Sequence, residues 1–175
     1  MLLEFPHPNR CVVGTVGEPG NRLFIIQVSQ GNALASVAVE KQQVQVLARR
    51  IRSILEQIES LGQAAVSQVT IQDRGPLDAP IEVEFRVGAI GLAWDSGRQA
   101  IQLELFSMEL GEESDDDANV LLQVWLTPRR AMEFALRGEE VVAAGRPACP
   151  LCAQPLDAGG HICPRSNGYR GPLFQ

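Results

Sequence analysis

Apolar and polar residues alternate with two different periods along this chain. The opening stretch, CVVGTVGEPGNRLFIIQVSQGNALASVAVE, contains three apolar runs separated by Gly, Pro and Asn. Pro19-Gly20 suits the centre of a type II turn, because Pro fixes φ and Gly accepts positive φ. Gly31-Asn32 marks a second turn. Antiparallel strands are expected at 11–16, 22–29 and 33–40. The period then lengthens. Val44, Leu47, Ile51, Ile54, Leu55, Ile58 and Leu61 recur at steps of three and four, with Arg49, Arg50, Arg52, Glu56 and Glu59 between them. This spacing predicts an amphipathic helix of about twenty residues that ends near Gly62.

QDRGPLDAP reads as a loop or linker, with Gly75-Pro76 and Pro80 as breakers. Pattern alone does not decide whether AVSQVTI before it is loop or edge strand. Ile81, Val83, Phe85 and Val87 then alternate with Glu82, Glu84 and Arg86, as in a half-buried strand. AIGLAW continues it, with a bend expected at Gly88 or Gly91. Asp95-Ser96-Gly97 is a turn, Ile101, Leu103 and Leu105 form the next inner face, GEESDDDAN is a charged loop and VLLQVWL a further strand. Thr127-Pro128 reads as an N-cap followed by the first helical residue. Ala131, Phe134, Ala135, Val141 and Val142 give that helix its apolar side, and Gly145 or Arg146-Pro147 ends it.

The expected order is β-β-β-α, linker, β-β-β-α. It predicts an α+β fold with largely antiparallel sheet and two helices. The similar placing of SVAVEKQQVQVLARRI and LLQVWLTPRRAMEFAL raises a duplicated unit, with halves at 5–62 and 80–145 of a domain spanning 1–145. A small zinc-knuckle-like segment, 146–175, follows.

Length and composition narrow the class. A chain of 175 residues, 45% apolar and 21% charged, has enough material for a core without disulfides. No signal peptide or membrane-spanning run is visible, so a cytoplasmic setting with reduced thiols is the expectation. The net charge of −6 is unevenly spread. Residues 146–175 hold Arg146, Arg165 and Arg170 against Asp157, a balance of +2, so the remainder carries −8. An acidic body disfavours nucleic-acid binding, leaving only a weak role for the basic tail.

The most distinctive chemistry is CPLCAQPLDAGGHICPR. Cys149 and Cys152 form a C-x2-C knuckle, and His161 and Cys163 follow within fifteen residues. Zinc takes four N or S ligands in a tetrahedron, and Gly159-Gly160 lets the chain fold back with the second pair. Cys3His coordination fills the shell, which makes the expected zinc structural. A redox C-x2-C belongs after a strand at a helix start, and Pro150 fits that poorly. A disulfide conflicts with reduced surroundings. Cys11 sits in an apolar strand and reads as packing; His7 has no sequence feature pairing it with Cys11 as a base.

Other motifs carry less. GTVGEPGN leads into a strand, whereas a phosphate-cradling loop leads into a helix, so it reads as a hairpin turn. EESDDD lacks the ligand alternation of a calcium loop. Glu40 with Glu82 or Glu84 is a carboxylate pair only if folding joins them. Arg22, Lys41, Arg86 and Arg129, at loops and helix starts, are candidate anion contacts. Arg165, Asn167, Tyr169 and Arg170 are candidate contacts around the knuckle.

Four stretches, GTVGEPGNRLF, VAVEKQQV, EFRVGAIGLAWD and CPLCAQPLDAGGHICPRSNGY, resemble the DUF3090 family, an uncharacterised and mainly actinobacterial family. The closing C-P-x-C…G-H-x-C-P-R-x-N-G-Y pattern is the most specific part. The resemblance brings no assigned activity and no catalytic residues. It implies gene neighbours that are histidine-phosphatase-like and phosphatidylinositol-kinase-like, and hence a shared pathway and a complex with one of them. Three functional classes follow: a non-enzymatic zinc-stabilised adaptor, a small enzyme or accessory subunit acting on phosphorylated metabolites, and weak nucleic-acid binding through the basic knuckle.

Overall fold

The computed structural model describes residues 1–18, 20–108, 121–145, 148–154, 156 and 161–165. Pro19, the charged loop expected at 111–119, Arg146-Pro147, Pro155, Asp157, Gly159-Gly160, Asn167, Tyr169 and Arg170 lie outside the described residues.

The chain forms β1 (Leu2–Phe5), β2 (Arg10–Val16), β3 (Leu23–Gln30), β4 (Ala33–Val39), α1 (Lys41–Ser60), β5 (Val83–Asp95), β6 (Ala100–Ser107), β7 (Leu121–Leu126) and α2 (Pro128–Ala143). The seven strands make one sheet in the order β1-β7-β6-β5-β4-β3-β2. The fold is therefore α+β, mostly antiparallel, with parallel pairs β1/β7 and β4/β5. Both meanders, β2-β3-β4 and β5-β6-β7, are laid in the same order, and each leads into a helix.

Local chemistry accounts for the element ends. Gly20 and Gly31 sit at φ 99° and 59°, supplying the left-handed turns between the first strands. At the start of α1 the Glu40 N–H donates to Gln43 Oε1 at 2.8 Å, and past its end Gly62 has φ 72°. Thr127 caps α2 by accepting from the Arg130 N–H, with Pro128 in the first turn. No described helix is long and apolar enough to cross a membrane.

The sheet is rolled. Its outermost strands, β1 and β2, are joined only by residues 6–9, a link that spans at most about 18 Å. A flat seven-stranded sheet would hold them about 29 Å apart. The link is fastened to the β3–β4 turn: the Asn9 N–H donates to Ser29 O at 2.7 Å and the Gly31 N–H to Asn9 Oδ1 at 2.6 Å. Inside the roll lie Val13, Ile26, Val37, Ile101, Leu105 and Val124, all fully buried. The helices pack on each other where Gly138 meets Val44 and Ala48, and α2 lies along β2.

One expectation needs correction. Ile81 and Val83 are 39% and 43% exposed, so only Phe85 and Val87 of that alternating run face the core. The period was right, but the strand's first residues project past the rolled core. QDRGPLDAP is a loop, as expected, and it is held tightly to the sheet. It runs extended over the outer face of β2–β4, where Gln27 Nε2 donates to Asp78 O at 2.9 Å and the Asp78 N–H to Gln27 Oε1 at 2.7 Å. AVSQVTI forms no strand. The bend expected in β5 occurs at Gly88, where the register with β6 shifts between Val87 and Ala89.

Candidate metal centre

The C-x2-C segment closes on itself. The Cys149 N–H donates to Gln154 O and the Ala153 N–H to Cys149 O, both at 2.8 Å, and Ala153 takes φ 60°. This tight turn points both sulfurs the same way. His161 and Cys163 return to meet them. One ligand atom from each of Cys149, Cys152, His161 and Cys163 lies within 4.8 Å of the others.

The spacing fits a tetrahedral ion. Two thiolates on zinc at 2.3 Å stand about 3.8 Å apart across a tetrahedral edge. Cys149 Sγ and Cys163 Sγ are separated by 3.8 Å. Cys152 Sγ lies 3.1 Å from His161 Nε2, so Nε2 is the nitrogen turned toward the sulfurs. His161 Nδ1 is buried and unpartnered among the described residues. The Gln154 N–H pulls the Cys152 thiol down, but desolvation and the sulfurs of Cys149 and Cys163 outweigh it and leave it raised. A bound cation reverses that balance, because metal binding releases the thiol protons. Cys149 and Cys163 are buried, whereas Leu151 and Ile162, each between two ligands, are 52% and 83% exposed.

The four anion candidates do not all converge. Arg22, Phe24 and Lys41 line two adjoining cavities of about 430 and 340 Å³ between the start of α1 and the end of α2. Arg86 and Glu40 join them in the smaller one, where Arg86 Nη1 pairs with Glu40 Oε1 at 2.5 Å. Arg22 Nη2 donates to Ala144 O at 2.5 Å. The Lys41 side chain has no hydrogen-bond or ion-pair partner among the described residues. Arg129 stands elsewhere, on the first turn of α2, and Arg165 is exposed beside Cys163. Glu82 and Glu84 are exposed, and neither has a hydrogen-bond or ion-pair partner among the described residues.

Sequence reasoning missed a buried arginine clamp. Arg137 donates to Val13 O at 2.8 Å, Asp73 O at 2.6 Å and Gly75 O at 2.7 Å. Arg10 Nε pairs with Asp73 Oδ2 at 2.6 Å and Nη1 with Asp78 Oδ2 at 3.0 Å. The Arg10 guanidinium holds the Asp73 carboxyl down at about 2. Burial pulls Arg137 below its ordinary range. A small cavity of about 210 Å³ adjoins this cluster and Cys11. The Arg10 and Arg137 donors are engaged in fastening residues 73–78, which makes the clamp architectural. The period of α2 put Arg137 close to its apolar face, the one signal that would have pointed to it. Cys11 packs against the core, and burial pushes its thiol up to about 12.

Comparison with curated proteins and with solved structures returns no match. Residues 3–163 match the family described as protein of unknown function (DUF3090), which takes in nearly all the elements above and all four clustered Cys and His residues. The chain therefore belongs to the DUF3090 family.

Proposed function

We propose that the protein is a non-catalytic binding module. One zinc ion, held by Cys149, Cys152, His161 and Cys163, orders its C-terminal segment, which docks on a protein partner. The observation that supports this most directly is the closed donor set with apolar residues at its tips. Three sulfurs and one nitrogen complete a tetrahedral shell and leave no position for a substrate or reactive water. Leu151 and Ile162 stand exposed between the ligand pairs. Apolar side chains fixed outward by a metal are suited to burial against another protein. The repeated β-β-β-α order is in keeping with a duplicated scaffold that carries this segment.

Elemental analysis of protein purified without chelator should find about one zinc per chain. Leu151→Asp with Ile162→Asp should keep the zinc but lose a complex with the histidine-phosphatase-like or phosphatidylinositol-kinase-like neighbour in size-exclusion chromatography. Metal-free wild type with freely reactive thiols removes the zinc. Failure of either neighbour to form a complex removes the adaptor role.

A second reading draws on the cavities at the start of α1. Arg22, Lys41 and Arg86 come from a turn, a helix and a strand, and they share a floor at Phe24. Such a group suits the phosphate of a small metabolite. Thermal stabilisation by phosphate monoesters, lost in Lys41→Ala and Arg86→Ala, supports it; the same stabilisation in both variants sinks it.

A further inference from the structure

A further cavity lies away from both sites. A groove of about 800 Å³ runs between α1 and β5, with Val46, Leu47, Ile54, Ile90 and Leu92 in its lining. Its apolar lining is incompletely covered. Leu103 and Leu105 on β6 are fully buried, yet their cross-strand partners Leu92 and Ile90 are half-buried. Val46 is 52% exposed.

The backbone beside this groove is also open. β4 pairs with β5 only at Val83 and Arg86, so from Gly88 to Asp95 β5 is paired on the β6 side alone among the described residues. Just before this open edge, Val87 O accepts from the Gln43 side chain at 3.2 Å. An unpaired edge with an apolar strip beside it is a template for a further strand. Gly88, Ile90 and Leu92 line the groove at every second position, so one face of β5 forms this wall.

Charge selects the kind of strand. Arg49 and Arg50 stand on the rim, and among the described residues no acidic side chain lines the groove. Neither arginine has an ion-pair partner among the described residues. Arg52, one turn from them, is by contrast paired with Glu139 at 3.1 Å. We propose that the groove receives an extended acidic peptide segment of another protein, which adds to the open edge of β5 as a strand. Its backbone would pair with β5, alternate apolar side chains would enter between Val46 and Ile90, and its carboxylates would meet Arg49 and Arg50. This rests on observations independent of the metal centre.

The test starts from a phage-displayed library of random nonapeptides selected against the full chain. The enriched sequences are synthesised with fluorescein and titrated by anisotropy. Expected are sequences that alternate apolar residues with Asp or Glu. Their affinity should fall at least about tenfold in Arg49→Glu/Arg50→Glu and in Val46→Arg. All three positions are exposed, so melting temperatures should be unchanged; should Val46→Arg unfold, the charge-reversed variant suffices. N-methylation of one alternating set of peptide amides should abolish binding, while the other set tolerates it. Amide shifts on binding should cluster at 42–54 and 88–92. No enriched peptide, peptides without acids, affinity indifferent to Arg49 and Arg50, or indifference to both methylation patterns each overturns the proposal. Reversible dimerisation abolished by the charge reversal would assign the groove to a second copy, and saturable oleate binding mapped to 88–92 would assign it to a lipid; either also overturns it.

Discussion

Replacing Arg137 by Met keeps side-chain volume and removes the guanidinium from the clamp. Arg137 is 6% exposed, and its donors reach three backbone carbonyls, on Val13, Asp73 and Gly75. A hydrogen bond from a charged donor contributes about 1.5–3 kcal/mol, and a buried acceptor left without its partner costs about 1–3 kcal/mol. Against this stands the desolvation of the guanidinium itself, visible in the lowering of its pKa by burial. The methionine also restores apolar contact. The balance is a loss of about 3 kcal/mol, at the lower end of what breaking a buried charged cluster costs. For a chain of this size that is a drop of about 6–12 °C in melting temperature. Arg74→Met is the matched control. It removes a salt bridge to Glu140 at 3.0 Å from the same segment, but the two side chains are 60% and 50% exposed. Its expected cost is below about 1 kcal/mol. Calorimetry reads the two losses. Hydrogen exchange locates them: amides at 72–78 should lose protection in Arg137→Met while those of β6 keep theirs. Equal destabilisation by both variants, or unchanged exchange at 72–78, would refute the clamp.

Three further outcomes follow from the same geometry. The Asp73 carboxyl is held down from 3.8 to about 2, chiefly by its hydrogen bond from Arg10. A depressed acid stabilises the fold above its unfolded pKa and loses that contribution as pH falls through its folded one. The side chain is 38% exposed, so screening leaves about 1 kcal/mol. Wild type should lose this between about pH 4 and pH 2 and Asp73→Asn should not; parallel acid-melting curves would contradict it. At Gly14 an added Cβ would stand 2.7 Å from Leu77 Cγ, so Gly14→Ala should cost about 1–3 kcal/mol. Leu77→Ala should relieve most of that cost in a double-mutant cycle, and additive losses would show that the two do not collide. Chelation, or Cys149→Ser with Cys152→Ser, should make the chain protease-sensitive near Arg165 and leave the melting of the main body unchanged. In the chelated wild type three thiols should become reactive, while Cys11, pushed up to about 12 by burial, reacts only on unfolding; melting of the whole chain on chelation would show that the knuckle belongs to the main core.

Legibility from the sequence followed how local each interaction is. Turns at Gly20 and Gly31, the ends of α1 and the Thr127-Pro128 start of α2 depend on neighbouring residues, and each was readable. The Cys/His cluster was readable because Cys and His are scarce elsewhere in the chain. β1 was not: LLEF has no period to detect, and its partner β7 lies far along the chain, with Leu2 opposite Leu121. The closure of the sheet follows from that one pairing and the brevity of the 6–9 link. The segment 72–80 was readable as a loop, but what anchors it was not, for a similar reason. Its polar, Pro- and Gly-rich composition says loop, but its place is set by Arg10 on β2 and Arg137 on α2, residues whose partners no spacing rule connects.

Partnership also divides the cations of this acidic protein into two groups that sequence could not separate. Arg10 and Arg137 give their donors to the chain itself, and exchanging either for lysine would forfeit the forked geometry that reaches several acceptors at once. Arg52 and Arg74 are paired with Glu139 and Glu140 across the helices or from the linker. Lys41, Arg49 and Arg50 have no such partner among the described residues, and all three stand beside cavities. A cation on an acidic protein that leaves the abundant local carboxylates unused is the one whose charge remains available to a ligand. The proposed groove depends on Arg49 and Arg50, and the cavity at the start of α1 has Lys41 of this kind beside the partnered Arg22 and Arg86. Neutralising Lys41, Arg49 and Arg50 together should therefore leave the melting temperature within about 2 °C of wild type while abolishing recognition, whereas neutralising Arg10 or Arg137 should do the reverse.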